Sequence, residues 1–486
     1  MGDTAFEAED IRKRRDDAIE RLASRPFDLL VIGGGIVGAG IAEAATAHGL
    51  DVALVDRGDF GGATSSASSK LIHGGLRYLR LGDVGLVREA HRERRLLMRV
   101  LAPHLVRRLP FLFPLYEDGP YRPWLAQSGI VLYSTLARSR LNGLVPVERA
   151  RRIVPQLRVE QLRSCAVYAD AWTNDARLTL CNVRGAADRG ATVLNYAELV
   201  ALRGDGGDVA VDGRTLAVHA RAVVNAAGPW VDRVRRLEDE AVRPSIRLSK
   251  GVHVLVEGGA DWGAALTIPH DRVRVTFAMP WEGMLLIGTT DTPHEGEPET
   301  AAVAEADVEQ VLREAAVAVE GLGPPRTTFC GLRVLPRGDG RTASARRETV
   351  LSRGRSGMVS VAGGKLTTYR RIALDTLDFL GVRGLSQRPR PLPGAIGLDR
   401  IAWPASLDER TRSHLLHLYG SLAPEVLFPA EEDPSLLEPI AHDRPDLRAQ
   451  EHYARTREWA VTDEDVLRRR TTVWPSAPAA RALDQR

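Results

Sequence analysis

At 486 residues, with 44% hydrophobic and 27% charged residues, the chain is long enough for two or three domains with large cores. A formal net charge of +3 gives no case for nucleic acid as a partner, and three cysteines, Cys165, Cys181 and Cys330, are too few and too widely spaced for a disulfide framework or a metal cluster. A reducing compartment, three structural thiols and no metal are therefore expected.

Residues 1 to 25 (with EAEDIRKRRDDAIERL at their centre) read as an exposed charged helix or a frayed lead-in, and they lack the apolar core of a signal peptide. The longest apolar run, Leu29 to Ala42, falls short of the ~20 residues that span a bilayer, so the chain is expected to lie on a membrane at most.

From Phe27 to Asp56 the chain reads as one βαβ unit. A buried-strand pattern, Phe27 to Ile32, runs into Gly33-Gly34-Gly35-Ile36-Val37-Gly38; a helical segment follows to His48, and Val52 to Val55 reads as a second strand ending at Asp56. In a dinucleotide-binding turn Gly33 permits the sharp bend, Gly35 lets a pyrophosphate approach the backbone, and Gly38 allows close helix–strand packing. The pyrophosphate would sit where free N–H groups and the helix dipole favour an anion, and Asp56 would accept hydrogen bonds from a ribose. A polar run of small residues, Ala63-Thr64-Ser65-Ser66-Ala67-Ser68-Ser69-Lys70, comes next.

Leu86 to Val106 has helical periodicity. The apolar stretch after it is broken by Pro110, Pro114, Pro120 and Pro123, which predicts a bent connection into a helix near Trp124 to Arg138. Ala166 to Asp175 is strand-like and leads into a helix to Arg189; Thr192 to Val224 alternates like short antiparallel strands and ends in Asn225-Ala226-Ala227-Gly228-Pro229-Trp230. Repeated strands between Val242 and Pro325, with a helix at Glu305 to Glu320, suit the sheet of a second domain. The chain is expected to return to the first domain near Phe329, with a strand at Met358 to Ala362 and a helix from Lys365 to Phe379. Gly363-Gly364 between them presents backbone N–H groups at a helix start. Pro389, Pro391 and Pro393 mark a linker, and 396 to 486 reads as a small helical domain with a capping box at Thr462 and Asp465 and a disordered end from Ser476.

Of 66 basic residues only four are lysine: Lys13, Lys70, Lys250 and Lys365. Three of them fall in or beside the motif segments, which implies a steric or chemical reason for a compact ammonium there.

The run Thr64 to Tyr78, ending in Ser69-Lys70-Leu71-Ile72-His73-Gly74-Gly75-Leu76-Arg77-Tyr78, resembles the FAD-dependent glycerol-3-phosphate dehydrogenases of the glycine/D-amino-acid oxidase-like flavoprotein superfamily. The resemblance continues through Asp175-Ala176-Arg177-Leu178, Asn225 to Trp230, Ile287-Gly288-Thr289-Thr290-Asp291, Gly331-Leu332-Arg333 and Gly363-Gly364-Lys365-Leu366-Thr367-Thr368-Tyr369-Arg370, with a weaker match at Asp463 to Thr471.

The resemblance implies an α/β fold with an α+β second domain. A Rossmann-like FAD-binding domain would be made of 24–84, 166–235 and 326–385, a β-sheet substrate-binding domain of 85–165 and 236–325, and a C-terminal helical domain of 396–486. It implies oxidation of sn-glycerol 3-phosphate to dihydroxyacetone phosphate, with non-covalent FAD as hydride acceptor and a membrane quinone taking the electrons. Arg77, Tyr78 and Lys365 would grip the phosphate. Arg333 would orient the hydroxyl and stabilise its developing charge, His253 would be the base, and Thr290 and Asp291 would line the pocket or end a strand. Gly33, Gly35, Gly38, Asp56, Thr64, Ser65, Ser69, Lys70, Gly363, Gly364 and Leu366 would hold the cofactor. A cytoplasmic protein lying peripherally on the inner face of the cell membrane, and a homodimer, complete the expectation; the proline-broken stretch would be a membrane-facing surface or a buried hairpin. A related flavin enzyme acting on another hydroxy or amino acid is the alternative.

Overall fold

The computed structural model describes residues 3–76, 79, 83–271, 274–337 and 349–475, with side chains from residue 13 onward. The strands in chain order are β1 (Phe27–Ile32), β2 (Val52–Val55), β3 (Leu71–Ile72), β4 (Arg107–Tyr116), β5 (Leu144–Val145), β6 (Leu162–Trp172), β7 (Thr192–Leu194), β8 (Ala197–Arg203) and β9 (Gly206–Val211). They continue with β10 (Arg214–Asn225), β11 (Ile246–Glu257), β12 (Ala265–Pro269), β13 (Val275–Trp281), β14 (Met284–Gly288), β15 (Thr292–His294), β16 (Pro325–Pro336), β17 (Thr349–Arg353) and β18 (Val359–Gly363). The helices are α1 (Asp3–Ser24), α2 (Ile36–Ala47), α3 (Val84–Leu96), α4 (Pro123–Leu136), α5 (Val147–Ile153), α6 (Asp175–Asp188), α7 (Val231–Arg236), α8 (Glu305–Ala315), α9 (Tyr369–Phe379), α10 (Glu409–Tyr419), α11 (Ala423–Leu427) and α12 (Arg448–Arg457).

The first sheet has the order β17-β18-β10-β1-β2-β7, with parallel pairing from β18 to β7. Its strands are apolar on both faces, as a sheet covered on both sides requires. Leu29, Val31 and Leu54 face α2, α6 and α9, whereas Leu30, Ile32, Ala53 and Val55 turn to the β8–β10 meander and α1. Each fully buried Leu, Ile or Val contributes on the order of 1.5–3 kcal/mol. The lead-in helix is thus not simply exposed: Ile19 and Leu22 are buried in the second of these clusters.

The second sheet has the order β15-β11-β14-β13-β12-β4-β6-β3, with β16 along β11 and β5 on β6. Two sequence expectations about single elements are corrected here. The first part of the proline-broken segment, to Tyr116, is strand β4 and not a bent connection, and the helix expected after it is α4; Pro110 and Pro114 share one phase of the strand, opposite Ala169 and Cys165 of β6, and Phe111 and Leu112 meet β12. Residues 325–336 and 162–172 belong by strand pairing to this sheet, although 326–336 and 166–172 were expected with the cofactor domain. The helix expected to reach Glu320 ends at Ala315. The predicted 86–106 helix is α3 followed by a π-helical turn, Leu97–Leu101.

The C-terminal helices α10–α12 enclose their own core of Leu415, Leu418, Tyr419, Val426, Leu447 and Tyr453. The predicted capping box is present: the Thr462 hydroxyl accepts from the Asp465 amide, and the Asp465 carboxylate accepts from the amides of Val461 and Thr462. The end from Ser476 lies outside the described residues. This helical unit is fastened to the first domain by Arg177 of α6, which is 1% exposed and donates from both terminal nitrogens to Glu458, one of them at 2.7 Å. Removing one partner of a buried pair strands the other charge, so Arg177→Ala should lower the stability of the C-terminal unit by about 3–5 kcal/mol in urea unfolding. A loss below about 1 kcal/mol would contradict this reading of the pair.

Candidate functional site

The glycine turn follows from what side chains would meet. A Cβ on Gly38 would lie 1.8 Å from the Gly33 carbonyl oxygen, and one on Gly33, whose φ is +102°, would lie 2.6 Å from the Ala226 carbonyl oxygen. Only glycine lets α2 approach β1 and the end of β10 this closely. Gly35 is the residue before α2 and supplies no side-chain cap, leaving the helix start open to an anion. Asp56, at the end of β2, accepts from the amides of Gly34 at 2.6 Å and Gly58 at 2.9 Å. Burial pushes its carboxyl up to about 6 in spite of those two donors. Ribose hydroxyls donating to the ionised form would act in the opposite direction.

A cavity of about 1420 Å³ starts at this turn. It exceeds the roughly 300–1,000 Å³ of an ordinary small-molecule site, which leaves room for a dinucleotide and a second, small ligand. Gly33, Gly35 and Asp56 line one end, Gly363, Gly364 and Leu366 another stretch, and Thr64, Ser65 and Ser69 the loop between the two domains. Gly364 has φ +138° and its Cβ would press within 3.0 Å of Val37, so the second glycine pair also passes close to α2. The glycines, the acid and the open helix start fit FAD.

The hydroxyl run is a set of fasteners. Ser65 Oγ accepts from the Ile36 amide at 2.9 Å, and Thr64 donates to the Leu332 carbonyl at 2.7 Å. The Ser68 amide and hydroxyl donate to Asp175 at 3.0 and 2.6 Å, and Ser69 Oγ shares a hydrogen bond with His253 Nε2 at 2.9 Å. One loop thereby ties the cofactor turn to the floor of the second sheet.

Lys70 does not line the cavity. Its φ is +60° and its buried ammonium donates to Asp175 and to the Ser66 carbonyl, both at 2.6 Å. Gly38 acts through packing. Lys250 is likewise turned away, pairing with Asp307 of α8 at 2.6 Å. Of the three motif lysines only Lys365 faces the cavity. The partner of Lys70, Asp175, could not be inferred from the sequence because 105 residues separate them.

His253 of β11 and Arg333 of β16 stand on the cavity wall. The two strands pair directly, Ser249 opposite Arg333. His253 is stacked on Phe329 with ring centres 4.8 Å apart, and its Nδ1 is buried without a hydrogen-bond partner among the described residues. Burial, with Lys70 and Arg333 close by, holds the imidazole down to about 3, so it is neutral at physiological pH. Arg333 is steered by Asp291 at 2.8 Å, and Asp291 also accepts the Ser249 hydroxyl. Thr290 is buried and does not line the cavity; its hydroxyl accepts from the Val252 amide at 2.9 Å, whereas Thr289 and Asp291 reach the wall.

Arg77 and Tyr78 lie outside the described residues. The segment leading to them is placed. The His73 amide donates to Thr367 Oγ1 at 3.1 Å, and the Gly74 amide donates to Tyr133 Oη at 2.9 Å, which in turn donates to Asp170. The two motifs HGGLRY and GGKLTTYR are therefore bonded to each other.

Residues 28–370 match the family described as FAD dependent oxidoreductase, and residues 386–483 match the C-terminal domain of alpha-glycerophosphate oxidase. The chain is 37% identical over 495 residues to a glycerol-3-phosphate dehydrogenase of Mycobacterium leprae, covering 95% of this chain and 83% of the relative. It is 35% identical to the D-erythritol 1-phosphate dehydrogenase of Brucella abortus, covering 91% of this chain and 94% of the relative. The solved glycerol-3-phosphate dehydrogenase of Bacillus halodurans, complexed with FAD, superposes with a TM-score of 0.75 at 29% identity, covering 97% of this chain and 91% of that one. The chain belongs to the FAD-dependent oxidoreductases, in the family that includes the glycerol-3-phosphate dehydrogenases.

Proposed function

We propose that the protein oxidises sn-glycerol 3-phosphate to dihydroxyacetone phosphate and delivers the electrons to a membrane quinone. The observation that carries the reading is one continuous cavity, with the glycine turn at one end and His253, Arg333 and Lys365 on its walls. FAD, held by the glycine turn, Asp56 and the Gly363-Gly364 turn, supplies the hydride acceptor. Lys365 is a compact cation for the phosphate, and Arg77 and Tyr78 are the other candidates by sequence. Arg333, aimed by Asp291, orients the secondary hydroxyl and stabilises negative charge as it develops on that oxygen. His253, neutral and held by Ser69, takes the hydroxyl proton.

A second reading rests on the Brucella relative, whose name gives a four-carbon polyol phosphate as substrate and whose length this chain matches at 94%. Both readings need a phosphate anchor, whereas an amino- or hydroxy-acid substrate does not. Lys365→Ala should raise KM for sn-glycerol 3-phosphate by about tenfold or more with a smaller change in kcat, and Arg333→Ala should lower kcat about 10²–10³-fold with the bound flavin spectrum intact. An unchanged KM removes the phosphate role of Lys365, and an unchanged kcat removes Arg333 from the chemistry. The ratio of kcat/KM for the three- and four-carbon phosphates in the same assay decides between the two substrates.

Support for a peripheral membrane position comes from α4. No helix among the described residues is long and apolar enough to cross a membrane. Yet α4 exposes Trp124 (63% exposed), Leu125, Val131 and Leu132 along one side. The sequence from 119 to 147 contains no acidic residue and carries Arg122, Arg138 and Arg140, which suits an anionic bilayer. Replacing Trp124 and Leu132 together by serine should abolish co-sedimentation with vesicles containing phosphatidylglycerol while dye-linked turnover persists. Undiminished co-sedimentation would remove α4 from the membrane contact.

A further inference from the structure

The segment Glu458–Arg470 of the C-terminal unit reaches into the first domain at the Asp56 end of the cavity. Asp59, three residues beyond Asp56 and 5% exposed, is held by two arginines from this segment: Arg469 through Nε, and Arg470 through both terminal nitrogens, one of them at 2.8 Å. Asn195 adds a third donor to Asp59 at 3.1 Å and also donates to the Trp459 carbonyl at 2.7 Å. Arg469 is completed by Asp465 at 2.7 Å, and Asp465 accepts from the Tyr196 hydroxyl at the same distance. Asp59, Tyr196, Glu464 and Arg469 all line the cavity together with Asp56.

A second contact runs through apolar groups. Trp459 meets Phe60 edge-on with ring centres 5.8 Å apart. Phe60 fills the space beside Gly34, where a Cβ would come within 2.3 Å of its ring, and the Gly61 amide donates to the Gly34 carbonyl at 3.0 Å. The loop 57–62 is therefore gripped on one side by the C-terminal segment; with the other it presses on the glycine turn, and it carries the Gly58 amide that donates to Asp56. Among the described residues the Arg177–Glu458 side-chain pair makes no hydrogen bond to this loop itself; it is linked to it through the Glu458 carbonyl, which accepts from Arg470 at 2.7 Å.

We infer that the C-terminal unit is a working part of the dinucleotide site: Arg469, with Arg470 and Trp459, is a positioning residue that fixes the 57–62 loop and so sets how tightly FAD is retained. The two kinds of contact between the units then separate into one that governs cofactor affinity and one that governs docking stability.

The test is FAD titration of apoprotein prepared from the full chain, read by flavin fluorescence, with apoprotein Tm recorded alongside. Arg469→Gln should raise the Kd for FAD at least tenfold, and Arg469→Lys, which keeps the cation, should recover part of it. Glu458→Gln should lower apoprotein Tm but leave the Kd for FAD within about twofold. If Arg469→Gln yields no folded apoprotein, Trp459→Leu, which loosens the same loop through Phe60, takes its place with the same expected rise in Kd. A wild-type Kd in the loop-gripping variant, or an equal rise in Glu458→Gln, overturns the inference and reduces the clasp to ordinary domain docking.

Discussion

The close approach of α2 to β1 and to the end of β10 is the constraint on which the rest depends. It exists because Gly38 has no Cβ to meet the Gly33 carbonyl and Gly33 none to meet the Ala226 carbonyl. Once that approach is made, the start of α2 opens into the cavity, and the β1–β2 pairing puts Asp56 beside the turn it must serve. The buried faces on either side of the parallel sheet hold the turn rigid, so that a cofactor finds its donors already aimed. Preorganisation of this kind removes ordering cost from binding.

The second sheet is useful only if it stays in register with that turn. The loop 63–70 does this with short polar bonds: Ser65 on α2, Thr64 on β16, Ser68 on α6 and Ser69 on His253. Lys70 and Asp175 form the buried centre of the arrangement, an ion pair that is further bonded by Ser66, Ser68 and the Ala176 amide. A buried charge pair stabilises little unless its remaining hydrogen-bonding capacity is met; here the Asp175 carboxylate accepts four bonds, and Lys70 adds the Ser66 carbonyl to the pair. The result is that His253 and Arg333, the proposed base and the proposed hydroxyl-orienting group, are held in place across the two sheets.

Much of this could be read from sequence where the signal is local. The glycine spacing, the acid closing β2, the capping box at Thr462 and the second glycine pair each depend on residues a few positions apart. Non-local facts were not readable. Nothing near Lys70 announces Asp175, nothing near Arg177 announces Glu458, and Asp59 lies more than 400 positions from the arginines that hold it. The chain is expected to return to the cofactor domain near Phe329; the strand that carries Phe329 and Arg333 nevertheless pairs along β11 from Ile246 to Val256. The prolines of β4 suggested a break, but a proline costs a ladder hydrogen bond only where its amide would have donated. Several motif residues turned out to build the frame: Tyr369 fills the space above Gly40, Arg370 pairs with Glu93 of α3, and Trp230 donates to Glu299. A motif therefore marks a site without saying which of its members touch the ligands.

As proposed, one cavity brings a flavin and a phosphorylated secondary alcohol together. The most direct test is the visible spectrum of the purified protein before and after sn-glycerol 3-phosphate is added in the absence of air. A yellow protein whose flavin band bleaches on addition of this substrate is the expected result. A yellow protein that keeps its colour with phosphorylated polyols and bleaches with an amino or hydroxy acid would contradict the substrate, and a colourless protein that takes up no FAD would contradict the site.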